Sequence, residues 1–156
     1  RVDKYTNVRA IAVLDNGEHH MVTNFVKAHG GCSAPLAADY SRAMQSIGEM
    51  KFKILGDRNQ DDTAVAQFML SHPNVTGMQK DQKTQLIRPA HYVEFVEIYF
   101  NDAHVMTAET GFSISADPSF RFFFKPVSGG EIRAKVSDSK GNSWEQTFNV
   151  QGGKGL

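Results

Sequence analysis

The sequence predicts an all-β protein built around an antiparallel β-sandwich, and three observations lead there. Residues 65–150 carry about seven short runs of alternating apolar residues, split by turn residues and free of any helix-length pattern. Residues 8–26 hold Asn16-Gly17 between two further alternating runs, a strong hairpin signal because both turn positions favour positive φ. At 156 residues the chain is also long enough to bury a sizeable core.

The elements follow in order. "VRAIAVL" (8–14) and "MVTNFVK" (21–27) are the arms of the hairpin, which spans residues 5–27. A lone hairpin is marginal in water, so other strands are expected against it. Too little chain precedes it, which reads as part of a first domain missing. In 28–64, Leu36, Tyr40, Met44 and Ile47 fall at helical spacing, with Ser33 as N-cap and Gly48 as stop. "EMKFKIL" (49–55) alternates as a short strand, and the polar "GDRNQDDT" (56–63) reads as the domain boundary. Strands are then expected near 65–71, 91–100, 103–109, 111–115, 119–125, 131–137 and 143–150. In "HYVEFVEIYF" (91–100) strict alternation puts Val93, Phe95 and Tyr99 on one face and Tyr92, Val96, Ile98 and Phe100 on the other. Both faces are apolar, which predicts a covering layer on the second face from the missing domain or another chain.

Composition excludes several functions. Lys plus Arg and Asp plus Glu number 17 each, so the formal net charge is zero. Nucleic acid is therefore not an expected partner, since phosphate binding needs a basic surplus. No apolar run approaches the roughly 18 residues that cross a bilayer, so no membrane partner is expected. The chain starts at Arg1 with neither initiator methionine nor signal peptide, which reads as a processed chain or a fragment.

The one cysteine, Cys32, lies in "AHGGCSAPL" (28–36), between two glycines and a proline. It excludes an internal disulfide and leaves a free thiol or a Cys32-linked dimer. Free cysteines are commonly small buried hydrophobes. Here Gly30 and Gly31 supply no side chains to pack, which favours an exposed thiol in chemical use. A helix starting near Ser33 would place Cys32 at its positive end, and His29 would add a charge or accept a proton. As a plain loop histidine, His29 would do neither. No histidine is arranged with Cys32 as a catalytic base, and no metal site is read from the six histidines. A blue-copper set fails because no histidine follows Cys32 until His72. His19 and His20 sit beside the hairpin turn and read as surface residues. A metal-binding protein built on them and the methionines is the third and least favoured reading.

Residues 69–106, "MLSHPNVTGMQKDQKTQLIRPAHYVEFVEIYFNDAHVM", closely resemble SoxZ, the immunoglobulin-like subunit of the bacterial sulfur-oxidation carrier. "SHPNVTG", "IRPAHYV" and "SISADPSFRFFF" carry the likeness, and residues 5–32 resemble the end of SoxY with its Gly-Gly-Cys arm. Together they are similar to the fused SoxYZ-like carrier associated with quinoprotein dehydrogenases. The resemblance implies residues 1–32 as the end of a SoxY-like sandwich, 33–64 as a helical connector, and 65–156 as an immunoglobulin-like domain. It implies a non-catalytic periplasmic carrier, with Cys32 as attachment point for a sulfur intermediate and Gly30 and Gly31 as its arm. Sulfur-oxidation or quinoprotein dehydrogenase enzymes are the implied partners, with a missing SoxY-like half or another chain; no cofactor is called for. The rival expectation is an immunoglobulin-like adaptor for a dehydrogenase, without covalent cargo. Here the motif runs Gly-Gly-Cys-Ser-Ala-Pro and lies within the chain, so it is a loop and not a free tail.

Overall fold

The structure, a computed structural model, describes residues 1–28, 30–35, 40–56, 63–126 and 129–150. Strands β1 (Thr6–Val13) and β2 (His19–Val26) form the expected hairpin, closed by Gly17 at φ +83° and by the Glu18 amide donating to Asn16 Oδ1 at 3.0 Å. Among the described residues no third strand joins them. Their register puts Ile11, Val13, Met21 and Phe25 on one face and Val8 and Val22 on the other, all exposed.

The remaining strands are β3 (Met50–Leu55), β4 (Ala64–Leu70), β5 (Val93–Phe100), β6 (Ala103–Glu109), β7 (Ser119–Phe124), β8 (Gly130–Asp138) and β9 (Ser143–Val150). They form two antiparallel sheets ordered β3-β4-β7 and β6-β5-β8-β9, the expected sandwich. Alternation decides which side chains meet between the sheets. Ala64, Ala66, Phe68 and Leu70 point inward from β4, and Val96, Ile98, Phe100, Ile132, Ala134 and Val136 oppose them from β5 and β8. Each large apolar side chain buried this way contributes about 1.5–3 kcal/mol.

The structure departs from the sequence reading at four places. β3 pairs with β4 along its whole length, so residues 50–55 belong to the same sheet as 64–70. The polar stretch that reads as a boundary is the connection between two paired strands, much of it outside the described residues. The run 111–115 is a turn, with the Ile114 amide donating to the Gly111 carbonyl. Its carbonyls bond Arg1 and Asn74 instead of a neighbouring strand. A bulge between Val93 and Phe95 breaks the alternation of β5. Val93 and Val96 therefore both face the core, whereas Phe95 turns outward. Tyr99 also faces outward, beneath the Arg133 guanidinium at 5.2 Å and the Lys135 ammonium at 6.0 Å from its ring centre. Long basic side chains thus lie over part of the face expected to need a second layer.

Fourth, no helix starts at Ser33. Residues Gly31–Ser33 form a single 3₁₀ turn, Ala34 is extended (φ −53°, ψ 137°), and Pro35 lies outside any helix. A residue before proline is pushed away from the helical region, which ends the turn. Among the described residues helix α1 spans Tyr40–Gln45; Leu36 lies outside them. Tyr40 of α1 lies under the Arg88 guanidinium at 4.3 Å.

Gly48 fixes how this connector meets the sandwich. Its φ is +86°, its amide donates to the Ser71 carbonyl at 2.9 Å, and a Cβ there would lie 2.2 Å from Trp144 Nε1. Gly48→Ala is therefore expected to lose about 1–3 kcal/mol from left-handed strain and overpacking. Urea unfolding at 25 °C measures it; an unchanged midpoint would mean that the indole moves aside freely.

Candidate functional site

Cys32 sits in the 3₁₀ turn and is half-buried. Gly30 and Gly31 have φ of +94° and +50°, in the left-handed region that side chains disfavour. Gly31 is buried against the chain's own start: a Cβ there would lie 2.6 Å from Asp3 Cβ and 2.9 Å from Asp3 Cα. The Gly30 amide donates to the Asp3 carbonyl at 3.2 Å. The two glycines thus permit a tight turn pressed against Asp3. His29 lies outside the described residues, and the absence of a helix at Ser33 removes the dipole expected beneath the thiol.

The seat of this turn is the segment between β4 and β5. His72, Pro73, Asn74, Val75, Thr76, Gln79 and Asp81 are buried there although none lies in a strand. A buried loop needs partners for its backbone, and polar side chains supply them. Asn74, at φ 44°, accepts the Val93 amide on Oδ1 and donates from Nδ2 to the Ser115 carbonyl. Its own carbonyl accepts Arg1 Nη2 at 2.8 Å. Val75 and His91 exchange both backbone hydrogen bonds, at 2.7 and 2.9 Å. Two side chains then reach the cysteine turn. Thr76 Oγ1 donates to the Cys32 carbonyl at 2.7 Å, and Gln79 Nε2 donates to the Ala34 carbonyl at 2.9 Å.

Beneath the same segment lies a sealed polar cluster. Asp138, at the end of β8, receives His91 Nε2 at 2.6 Å and Asn142 Nδ2 at 2.9 Å on Oδ2; His72 Nε2 lies 3.5 Å away without a hydrogen bond. Its Oδ1 accepts the Lys140 and Asn142 amides at 2.8 and 3.0 Å, closing the β8–β9 turn. Burial alone would raise the Asp138 pKa, but the donors from Asn142, His91 and the two amides outweigh it and hold it at about 2. Burial first, and then neighbouring His91, lower the pKa of His72 against the opposing pull of Asp138 and Asn74.

Three such side chains, with ligand atoms within 4.8 Å of one another, raise the question of a cation. The protons answer it. Asn74 N–H donates to His72 Nδ1 at 3.1 Å, so the neutral ring carries its proton on Nε2, facing Asp138. A metal-binding histidine instead presents a lone pair there and donates from its other nitrogen. The arrangement is therefore one imidazole N–H, that of His91, donating to the carboxylate, with His72 Nε2 close by but without a hydrogen-bond partner. Through His91 and Val75 it ties the 72–76 segment to the end of β8.

Sequence reasoning singles out Cys32, Gly30 and Gly31, and the structure brings them together on one turn. It misses Thr76, Gln79, His72, His91 and Asp138. The available signal was polar residues crowded into "SHPNVTGMQKD", between proline and glycine, where a solvated loop has no need of so many fixed partners.

Residues 52–149 match the family described as sulphur oxidation protein SoxZ. The fold defines an antiparallel β-sandwich protein, and the match extends over more than half of the chain. The chain belongs to the SoxZ family. Among curated proteins no sequence matches it. Similar solved structures include a superoxide reductase from Nanoarchaeum equitans, 14% identical with a TM-score of 0.48, covering 66% of this chain and 92% of that one. Another is the hypothetical protein PH1083 from Pyrococcus horikoshii OT3, 18% identical with a TM-score of 0.47, covering 68% of this chain and 90% of that one. Neither likeness bears on chemistry. No helix among the described residues is long and apolar enough to cross a membrane.

Proposed function

We propose that this chain is a covalent carrier that holds a sulfur-containing intermediate on Cys32 and presents it to partner enzymes in the periplasm. The observation that carries the reading is the chain's single cysteine, set on a glycine-flanked turn and seated on a loop of the SoxZ domain. Loading needs no catalytic machinery in the carrier. The Cys32 thiolate attacks a sulfur of a polysulfide donor; a new S–S bond forms as the donor's S–S bond breaks, and the shortened polysulfide leaves as an anion. No external oxidant enters. Gly30 and Gly31 let the chain turn tightly at the thiol, and sulfur-oxidation enzymes act on what hangs from it.

Residues 1–32 enter this proposal as the end of a SoxY-like unit. The hairpin exposes apolar side chains on both faces, which suits strands completed by a SoxY-like partner segment. The same exposure also favours a second reading, an adaptor docking onto a quinoprotein dehydrogenase with no covalent cargo.

Incubation of reduced protein with polysulfide, followed by intact mass measurement, tests the carrier. Wild type is expected to gain sulfur that a thiol reductant removes, and Cys32→Ala to gain none. An unmodified wild type whose Cys32 still alkylates readily would overturn the carrier and leave the adaptor, for which Cys32→Ala would retain partner binding and full activity.

A further inference from the structure

We infer that Thr76 and Gln79 are positioning residues that latch the Cys32 turn onto the SoxZ domain, and that presenting the thiol to another protein requires this latch to open. The inference rests on the carrier reading for its purpose, but its geometry stands apart from it.

Both donors are fixed before the turn arrives. Thr76 and Gln79 are buried, at 5% and 2% exposure, on the loop that the His72–His91–Asp138 cluster ties down. Gln79 Oε1 accepts the Thr76 amide at 3.1 Å, so its amide NH₂ must point the other way, toward Ala34. Thr76 Oγ1 accepts the Met78 amide at 3.1 Å, which turns its one proton to the Cys32 carbonyl. The acceptors are the looser side: Cys32 and Ala34 are half-buried, Ser33 and Pro35 are exposed, and no side chain caps the 3₁₀ turn. The two bonds grip main-chain carbonyls on either side of Ser33 and make no use of the sulfur. Whatever the thiol carries, the latch stays the same. Opening it exchanges two protein hydrogen bonds for two to water, a cost small enough for a docking enzyme to meet.

Alkylation of Cys32 by a bulky maleimide, followed as a second-order rate at neutral pH, reads the latch directly. Thr76→Val removes one donor. Gln79→Glu keeps the acceptor for the Thr76 amide and removes the other donor. Each variant is expected to react about two- to tenfold faster than wild type, and the double variant about ten- to a hundredfold. Thr76→Ser keeps the hydroxyl and is expected within about twofold of wild type. Thermal midpoints taken alongside separate latch opening from global unfolding.

A second measurement needs no variant: native wild type is expected to react at least about tenfold more slowly than the same chain unfolded in urea. Equal native and unfolded rates would overturn the latch. So would Thr76→Val and Gln79→Glu both at the wild-type rate, or Thr76→Ser as fast as Thr76→Val. Maleimide reports on access and polysulfide on cargo. Faster alkylation in the variants alongside failed sulfur loading would retain the latch and discard the carrier.

Discussion

Replacing Asp138 by alanine is expected to destabilise the chain by about 3–5 kcal/mol, the range for breaking a buried charged hydrogen-bond set. The side chain is fully buried and receives donors from three residues, His91, Lys140 and Asn142, with His72 Nε2 3.5 Å away. Their fates after its loss differ. The Lys140 and Asn142 amides lie in an exposed turn and can turn to water. His91 Nε2 cannot, because the residue is sealed at 1% exposure. The stranded His91 donor therefore sets much of the cost, at roughly 1–3 kcal/mol, with the loss of the carboxylate's charge beside His72 added to it. Asp138→Asn keeps one oxygen and the shape but turns an NH₂ toward groups that are already donors, and about 1–3 kcal/mol is expected. Urea unfolding measures both. The contrast is Asp102, whose ion pair with Arg133 leaves its side chain 87% exposed; its alanine variant is expected to lose no more than about 1 kcal/mol. A loss below about 1 kcal/mol in Asp138→Ala would show that water reaches the imidazoles and that the cluster does not anchor the loop.

What the sequence made legible was whatever depends on local period. Asn16-Gly17 marks the hairpin because a tight turn favours such residues, although only Gly17 takes the positive φ expected of both; Asn16 instead accepts the Glu18 amide on its side chain. Strands such as Ala64–Leu70 were readable because every second side chain is apolar and faces the opposite sheet. Reading failed where the deciding partner is distant in sequence. The bulge at Val93–Phe95 belongs to the pairing of β5 with the distant β8, and a flat alternation carries no trace of it. The 56–63 stretch is polar in sequence, and polar composition alone does not tell a connection between paired strands from a linker between domains. The candidate site divides in the same way. Cys32 stands out through its glycine neighbours, but Thr76 and Gln79 acquire meaning only from carbonyls 44 and 45 residues away. Asp138 has local partners on its Oδ1 side, the Lys140 and Asn142 amides, but its Oδ2 faces a histidine 47 residues upstream.

The histidine cluster also makes stability fall with acid, in two stages. His72 has a folded pKa below its ordinary 6.5. As pH drops through 6.5 the unfolded chain binds a proton there and the folded chain does not, so stability rises with pH in that window. Asp138 acts the same way lower down. Its folded pKa of about 2 lies below the ordinary 3.8, so its contribution is intact above 3.8 and is lost as pH falls toward 2. Unfolding free energy is therefore expected to be flat near pH 7–8 and to decline below about 6.5, by up to about 1.4 kcal/mol per pH unit for each extra proton bound by the unfolded chain. His72→Asn isolates the first stage, since its amide oxygen replaces Nδ1 as acceptor for the Asn74 amide while removing the titrating ring. In that variant the decline between about pH 6.5 and 5 is expected to be shallower than in wild type, with the lower stage retained. A wild-type profile that stays level from about pH 7.5 to 4.5 would mean that His72 takes up its proton as readily folded as unfolded, and the sealed imidazole pair would lose its physical basis.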